Sequence, residues 1–176
     1  MKTMPICVGA ALAFLVLTGA VRAEVVEAQP NGFEVRHVAV VEAPAAVVWA
    51  TLLQPSKWWS SDHTWSGSAA NLSLAAASGG CFCERLPNGG SVLHMTTVHA
   101  VPNQKLVLTG GLGPLQSSGA SGALTVQLAE AAGRTTVTFT YDVGGWFKGG
   151  LDKIAAPVDG VLGQQIAGLK RAAEVR

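Results

Sequence analysis

Alternating apolar and polar residues predict that most of this chain is β-strand. The clearest alternation lies in 134–143, where every second residue from Val137 to Val143 is apolar and threonines or an aspartate stand between them. Six other stretches have strand-forming composition, and they cover 33–42, 71–76, 81–86, 91–100, 105–109 and 123–128. We therefore expect an antiparallel sheet of six to seven strands.

Two stretches carry a helical pattern instead. A short helix is predicted to begin at Pro44 and to end before Pro55. A long C-terminal helix is predicted over 151–173, because its apolar residues recur at steps of three and four. That stripe consists of Leu151, Ile154, Val158, Leu162, Ile166 and Leu169, with Gln165 among them. Pro157 falls inside the segment, so the main helix is predicted to start near it.

The order of these elements predicts an α+β fold, the class in which helices are segregated from a run of antiparallel strands. One long amphipathic helix covers only one face of such a sheet. The sheet should therefore curl around the helix while its other face meets water. This helix-grip arrangement leaves room for a cavity between sheet and helix, which is the first indication of function.

The first 23 residues have the three parts of a secretory signal peptide. Lys2 supplies the positive start, 6–17 is an uncharged apolar run, and Val-Arg-Ala at 21–23 is a small-x-small cleavage site. The run is shorter than the roughly 20 residues of a membrane span, so cleavage is favoured over an uncleaved anchor. We expect a mature chain of 24–176 that forms a single domain, without stable membrane insertion, in the periplasm or outside the cell.

Composition and charge argue against a nucleic-acid partner. Charged residues make up 13% and hydrophobic residues 49% of the 176 residues, so the chain is neither a disordered tail nor a coiled coil. Without Lys2 and Arg22 of the leader, ten basic residues stand against eleven acidic ones, and no basic cluster occurs. The glycine-rich segment 110–119 lacks the lysine of a phosphate-binding loop, so we interpret it as a mobile loop over the cavity. No cofactor is predicted.

Several motifs resemble one known superfamily. They are Glu-Ala-Pro-Ala-Ala-Val-Val-Trp at 42–49, Pro-Ser-Lys-Trp-Trp at 55–59, Gly-Gly-Cys-Phe-Cys-Glu at 79–84 and Asn-Gly-Gly at 88–90. With the closing helix they resemble the SRPBCC superfamily, also called START-like or helix-grip proteins, over 33–171. The resemblance is to its polyketide cyclase/dehydrase-like and chaperone-ATPase-activator-like branches. It implies a deep hydrophobic cavity for lipids, polyketides or ligands of similar size, but no single activity.

Three tryptophans fall within the short segment 58–65. With His63 they could form a cavity mouth that binds an apolar molecule with one polar end. Consecutive residues cannot both face one way, so one of Trp58 and Trp59 is expected to be structural. The alternative for His63 is a local pair with Asp62.

A two-residue hairpin turn is predicted at Asn88-Gly89. That turn places Glu84 opposite Leu93 and Phe82 opposite Met95, with these side chains facing the helix. A carboxylate on an apolar face is costly unless it is paired or hydrated, so the pKa of Glu84 should rise. Glu84 is therefore a functional candidate. The alternative is a carboxylate at the rim that is hydrated or in a salt bridge.

The opposite face of that hairpin is predicted to carry Cys81, Cys83, Arg85 and His94. We expect the two thiols to serve packing. A disulfide is an alternative in an oxidising compartment, although residues two apart on a flat strand are about 6.6 Å apart. Zinc is a further alternative, because two thiols and an imidazole are possible ligands, but their parallel directions suit it poorly. No metal site is predicted.

These observations lead to one expected function and one alternative. Tyr141 and Gln165 are expected to bring hydrogen-bonding groups into the cavity wall. The expected ligand-binding residues are Trp59, His63, Trp65, Phe82, Glu84, Met95, Tyr141, Val158, Leu162 and Gln165. The protein is expected to bind a small hydrophobic molecule that is lipid-like or polyketide-like. The alternative is an enzyme of the aromatase/cyclase kind, in which Glu84 or His63 transfers protons.

Overall fold

Residues 22–175, which a computed structural model describes, form an antiparallel sheet and two α-helices. The strands are β1 (Arg22–Gln29), β2 (Gly32–Val41), β3 (Leu72–Leu74), β4 (Cys81–Arg85), β5 (Ser91–Val101), β6 (Lys105–Gly110), β7 (Gly119–Ala131) and β8 (Arg134–Trp146). Their order in space is β1-β2-β8-β7-β6-β5-β4-β3, so β1 and β3 are the edges. The helices are α1 (Ala45–Leu52) and α2 (Asp152–Glu174). The predicted signal peptide, 1–23, lies outside the described residues except for its last two positions.

The long helix α2 packs against β1 and β2 and against α1. This architecture confirms the predicted α+β, helix-grip fold class. The described part of the chain has eight strands rather than six to seven, because β1 was not predicted. The residues of β1, Arg-Ala-Glu-Val-Val-Glu-Ala-Gln, show no regular apolar alternation. They form a strand because they pair along the edge of β2.

Helix α2 is continuous from Asp152, so the prediction that the main helix starts near Pro157 is wrong. Leu151 is fully buried, and its backbone N–H donates to the carbonyl of Pro30 at 2.9 Å, which fixes the chain just before the helix. Pro157 lies inside this helix and removes one of its backbone hydrogen bonds. The predicted apolar stripe is confirmed in the second half of the helix, where Leu162, Gln165, Ile166 and Leu169 are all buried.

The space between the sheet and the tryptophans that follow α1 is a packed core. The ring centroids of Trp58 and Trp59 lie 5.4 Å apart, and Trp59 lies 5.1 Å from Phe82. Both tryptophans are buried. The void that remains among these side chains is about 20 Å³, room for about one water molecule. The deep cavity that the resemblance implies therefore does not extend into this part of the fold.

A β-bulge in β5 changes the predicted register of the β4–β5 hairpin. Phe82 pairs with Met95 as predicted, but β5 has one extra residue, His94, beyond this pair. The predicted pairing of Glu84 with Leu93 is therefore wrong, and so is the placement of His94 on the outer face. The bulge buries His94 and Met95 together and leaves Leu93 58% exposed on the other side.

The hairpin loop explains this shift. The N–H of Leu86 donates to the carbonyl of Gly90 at 2.8 Å, so the loop has three residues, Pro87–Gly89, instead of the predicted two. Asn88 and Gly89 have φ angles of 61° and 82°, a left-handed conformation that these two residue types tolerate best. The three-residue loop offsets the strands by one position, and the bulge at His94 restores the register.

Cys81 and Cys83 form a disulfide, so the prediction of two free packing thiols is wrong. Their Cα atoms lie 5.4 Å apart, closer than the roughly 6.6 Å of a flat strand and within the usual range for a disulfide. His94 is buried on the inner side of the hairpin, so the three possible zinc ligands are not brought together.

Candidate ligand-binding site

A cavity of about 300 Å³ lies at one end of the sheet, beside the N-terminal half of α2. The segment after α1 contributes Trp59, Asp62, His63, Thr64 and Trp65, and the β6–β7 loop contributes Leu112, Gly113 and Pro114. Helix α2 contributes Ile154, Pro157, Val158, Val161 and Leu162, and strand β5 contributes His94. The lining is mostly apolar, and two imidazoles and one carboxylate are the titratable groups on it.

The structure brings half of the predicted ligand-binding residues to this cavity. Trp59, His63, Trp65, Val158 and Leu162 line it, whereas Phe82, Glu84, Met95, Tyr141 and Gln165 do not. The second group is buried behind the wall or in the core. The division arises because the cavity lies beside the N-terminal half of α2 and at one end of the sheet, whereas the second group lies deeper in the fold.

Glu84 is a buried carboxylate that accepts several hydrogen bonds. The backbone N–H groups of Trp65 and Ser66 donate to its two oxygens, and Nε2 of His94 lies 2.9 Å from Oε2. Burial raises the pKa of Glu84, but the hydrogen bonds from Ser66, Trp65 and His94 outweigh burial and hold the pKa below its ordinary value. The prediction that this pKa rises is therefore wrong, and the carboxylate is ionised at neutral pH.

His94 connects this carboxylate to the cavity. Its ring packs 5.0 Å from the ring of Phe82, is only 6% exposed, and lines the cavity wall. Oε2 of Glu84 accepts a hydrogen bond from Nε2 of His94, so this edge of the ring faces the carboxylate and Nδ1 lies on the opposite edge. A histidine oriented in this way can accept a proton or bind the polar end of a ligand.

Gln116, in the short helix Gly113–Ser117 of the β6–β7 loop, joins the two sides of the cavity mouth. Its Oε1 accepts the indole N–H of Trp65 at 2.9 Å, and its Nε2 donates to the carbonyl of Leu93 at 3.1 Å. The same Nε2 lies 3.4 Å from Nδ1 of His94. The glycine-rich loop therefore lies over the cavity as expected, and one side chain fastens it to both neighbours.

Tyr141 supports this loop from inside the sheet. Its hydroxyl donates to the carbonyl of Gly110 at 3.1 Å and accepts the N–H of Leu112 at 3.2 Å. Burial raises the pKa of Tyr141 to about 12, against the lowering effect of the Leu112 hydrogen bond. The phenol is therefore neutral, and it positions the loop instead of forming part of the wall.

Two side-chain hydrogen bonds tie the segment after α1 to α2. Nε2 of His63 lies 2.9 Å from Oε1 of Gln164, so His63 pairs with α2 and not with Asp62. Oε1 of Gln165 accepts the N–H of Ser60 at 2.9 Å. Gln165 thus holds one wall of the cavity in place without reaching the cavity itself.

Sequence reasoning missed His94 and the side chains of the β6–β7 loop. Alternation counted from a two-residue turn assigns His94 to the outer face, whereas the three-residue loop places it on the inner face and the bulge keeps Met95 there as well. Leu112 and Pro114 follow no periodic pattern, although the glycines around them did indicate a loop over the cavity. Ile154 had a signal, since it belongs to the predicted apolar stripe.

Within 22–175, no group of three or more His, Cys, Asp and Glu side chains lies close enough to hold a metal ion. In the same part of the chain, no helix combines the length and the hydropathy needed to span a bilayer.

The fold defines a helix-grip protein with an apolar cavity at one end of its sheet. Residues 32–174 match the family described as polyketide cyclase/dehydrase and lipid transport, and the chain belongs to that family. This match confirms the resemblance of the sequence to the polyketide cyclase/dehydrase-like branch of the SRPBCC superfamily. No curated protein matches the chain.

Solved structures share the fold at low sequence identity. Protein CV1439 from Chromobacterium violaceum has a TM-score of 0.59 at 16% identity, covering 84% of this chain and 100% of that chain. CalU16 from Micromonospora echinospora has a TM-score of 0.59 at 12% identity, covering 90% of this chain and 77% of that chain. The Aha1 dimer from Colwellia psychrerythraea has a TM-score of 0.54 at 18% identity, covering 81% of this chain and 96% of that chain. These similarities concern the fold alone.

Proposed function

We propose that this protein binds a small, mostly apolar molecule in the cavity beside α2. The observation that carries the proposal is the lining, which encloses about 300 Å³ with predominantly apolar side chains from three segments. That volume lies at the lower end of the range for ligand sites. Removing apolar ligand surface from water favours binding in such a space. Membership of a family that includes polyketide cyclases and lipid transport proteins supports the same function.

The polar groups on the wall limit the kind of ligand. His94 and His63 are each held by a partner outside the cavity, Glu84 and Gln164. Fixed imidazoles on an apolar wall suit a molecule with one hydrogen-bonding end, such as a carbonyl or hydroxyl group. Trp59 adds a flat aromatic surface on which a ring or an aliphatic chain of the ligand can pack.

The proposal includes export from the cytoplasm to the periplasm or the medium. The pattern of 1–23 supports it, because a charged start, an apolar run and a small-x-small site occur in the order of a signal peptide. Cleavage after Ala23 would leave Glu24–Gln29 of β1, which pairs with β2 from Glu24 opposite Arg36 onward. The mature chain would therefore keep its edge strand.

Native mass spectrometry of protein purified from the cell envelope tests the binding proposal. We expect a fraction of the protein to carry one small molecule that is released on denaturation. Adding the released molecule back should change the tryptophan fluorescence, because Trp59 and Trp65 lie on the wall. Protein that carries no adduct and takes up no apolar dye would contradict the proposal.

An acid–base enzyme is the second candidate, and the Glu84–His94 pair favours it. A carboxylate that accepts a hydrogen bond from Nε2 leaves Nδ1 as the base. In a cyclase-type reaction this base would take a proton from a carbon between two carbonyl groups, leaving an enolate. The imidazolium would later return the proton. Here Glu84 orients His94 and does not itself reach the ligand.

Exchange of the acidic carbon-bound hydrogens of benzoylacetone in D₂O, followed by NMR, tests this second candidate. Protein with His94 as a base should accelerate the exchange, and His94→Gln should remove the acceleration. His63→Gln is the matched control, because His63 also lines the cavity but has no carboxylate partner. An exchange rate that the protein does not change would leave binding as the proposed function.

A further inference from the structure

The Cys81–Cys83 disulfide lies on the outer face of the sheet, away from the cavity and the core. The two cysteines alternate along β4 with Phe82 and Glu84, which are buried on the inner face. Both cysteines are partly exposed. Because β4 pairs with a strand on each side, the exposed part of each cysteine is mainly its outward-pointing side chain. A thiol dissolved in the solvent can therefore reach the disulfide.

This disulfide contributes little to the stability of the fold. It joins residues only two positions apart, and a disulfide that closes a short loop removes little chain entropy from the unfolded state. Backbone pairing with β3 and β5 holds β4 in place as well. By thermodynamic linkage, a fold that gains little stability from a disulfide also protects it little against reduction. For so short a loop, we expect the folded state to protect the disulfide only about tenfold relative to the unfolded chain.

The residues around the disulfide favour attack by a negatively charged thiol. Its neighbours in the paired strands are Ser73 of β3 and Leu93 and Thr96 of β5, which are all uncharged. Arg85 is exposed and lies two residues beyond Cys83 on the same face of β4, at a Cα separation of roughly 7 Å for a strand. A nearby cation attracts an incoming thiolate and stabilises a departing one. Cys83 is therefore the better leaving group of the pair.

We propose that Cys81–Cys83 is a thiol–disulfide exchange site that oxidises thiols of acidic peptides or acidic small molecules. The substrate thiolate attacks Sγ of Cys81, the S–S bond breaks, and its electron pair leaves on Sγ of Cys83. A second substrate thiolate then attacks the substrate sulfur of the mixed disulfide and releases Cys81 as a thiolate. The substrate departs as a disulfide, and its two electrons and two protons remain on the protein as two thiols. This activity is independent of ligand binding in the apolar cavity.

Equilibration of the full chain in buffers of reduced and oxidised glutathione tests whether the folded protein exchanges its disulfide. Alkylation followed by peptide mass spectrometry reads Cys81 and Cys83 separately from Cys7 of the predicted leader. We expect reduction without loss of the near-UV circular dichroism, at a glutathione ratio within about tenfold of the one that reduces the urea-unfolded chain. A disulfide that stays oxidised until the protein unfolds would overturn the proposal.

Arg85→Gln tests the preference for acidic thiols. It should slow reduction by glutathione, which is negatively charged at neutral pH, about threefold, the Coulomb effect of one charge roughly 7 Å away in water. Reduction by the positively charged cysteamine should not slow. Lys148→Gln removes an exposed cation beyond the end of β8 and is the matched control, with both rates unchanged. Equal glutathione rates for the two variants would overturn the assignment of Arg85 and of acidic substrates.

Transfer of the disulfide to a reduced peptide tests the activity itself. The oxidised protein is mixed with an acidic peptide that carries two cysteine thiols, and mass spectrometry follows both partners. We expect peptide disulfide and protein dithiol to appear in equal amounts. The double variant Cys81→Ser/Cys83→Ser keeps Cys7 and should transfer nothing. The proposal is overturned if the peptide stays reduced in the presence of the parent protein, or if the double variant oxidises it equally well.

Discussion

Nε2 of His94 and Oε2 of Glu84 lie 2.9 Å apart inside the protein, where the carboxylate is 1% exposed. Glu84→Gln keeps an acceptor for the backbone donors but removes the negative charge. We expect it to lower the free energy of unfolding at pH 7 by about 1–3 kcal/mol. Chemical denaturation measures this difference.

The pH dependence of that difference has a definite sign. The pKa of Glu84 is lower in the folded protein than its ordinary value of 4.5. The ionised carboxylate therefore stabilises the fold fully at pH values above 4.5, and this stabilisation is lost as the pH falls through the pKa of the folded state. The difference in the free energy of unfolding between the parent and Glu84→Gln should therefore become smaller as the pH is lowered below about 4.5. Glu27→Gln, at an exposed position of β1, is the control, and its free energy of unfolding should be almost equal to that of the parent at any pH. If the difference between the parent and Glu84→Gln became larger in acid, the pKa of Glu84 would not be lowered in the folded protein.

Val158→Phe tests whether the cavity is open to a ligand. Val158 is half-buried and lines the cavity, so a phenyl ring there should fill free space and leave the thermal midpoint nearly unchanged. Uptake of the apolar dye N-phenyl-1-naphthylamine, followed by its fluorescence, should be abolished. Ala156→Phe, on the exposed face of the same helix, should bind the dye like the parent. A loss of about 1–3 kcal/mol of stability in Val158→Phe would indicate a filled core instead.

Gln116→Ala should loosen the mouth of the cavity. It removes the hydrogen bonds to the Trp65 indole and the Leu93 carbonyl, each worth about 1 kcal/mol in net terms. We expect faster release of the bound dye in stopped-flow fluorescence and a small change in overall stability. Ser117→Ala, the next residue along and exposed, is the matched control. Equal release rates for the two variants would show that Gln116 does not close the mouth.

Thiol titration tests the Cys81–Cys83 disulfide. The chain has three cysteines, and Cys7 lies in the predicted leader, so the unfolded and unreduced mature protein should contain no titratable thiol. Reduction of the disulfide should then release two titratable thiols. Replacing both residues with serine should lower the free energy of unfolding by about 1–2 kcal/mol, as expected for the very short loop that this disulfide closes. Two thiols before reduction would show that the pair is not joined.

N-terminal sequencing tests the predicted leader. Protein isolated from the cell envelope should begin at Glu24, because cleavage is predicted after the Val-Arg-Ala site. Ala23→Arg should block this cleavage, since the site requires a small residue at that position. Parent protein that begins at Met1 and stays with the membrane fraction would favour an uncleaved anchor.

The fold could be predicted from the sequence because its main elements have periodic residue patterns. The alternation in β8 and the apolar stripe of α2 each depend on one buried face, so the residue pattern specifies both the element and its inward side. None of residues 24–29 of edge strand β1 is fully buried, and the sequence there lacks such a signal. The helix start at Asp152 depends on Leu151 and its contact with Pro30, which is distant in sequence.

The candidate site was harder to predict, because it depends on the three-residue loop and on the bulge of the β4–β5 hairpin. Neither feature leaves a mark in the alternation of a strand, yet the residues between the loop and the bulge lie on the face opposite to the predicted one. His94 therefore exchanged sides with Leu93, and Glu84 gained a partner that the sequence had assigned to the outer face. The side chains of Leu112 and Pro114 belong to a loop, where position is set by tertiary contacts such as the Tyr141 hydrogen bonds.

Most of the cavity wall comes from parts of the chain that take no part in strand pairing. The segment 59–65, the β6–β7 loop and the N-terminal half of α2 supply it, and the sheet contributes His94. Substitutions at the exposed loop position Pro114 can therefore reshape the space without disturbing a ladder hydrogen bond, whereas Leu112 also packs against the core. In engineering terms, the selectivity that we propose for this cavity can be varied at loop positions on which the pairing of the sheet does not depend.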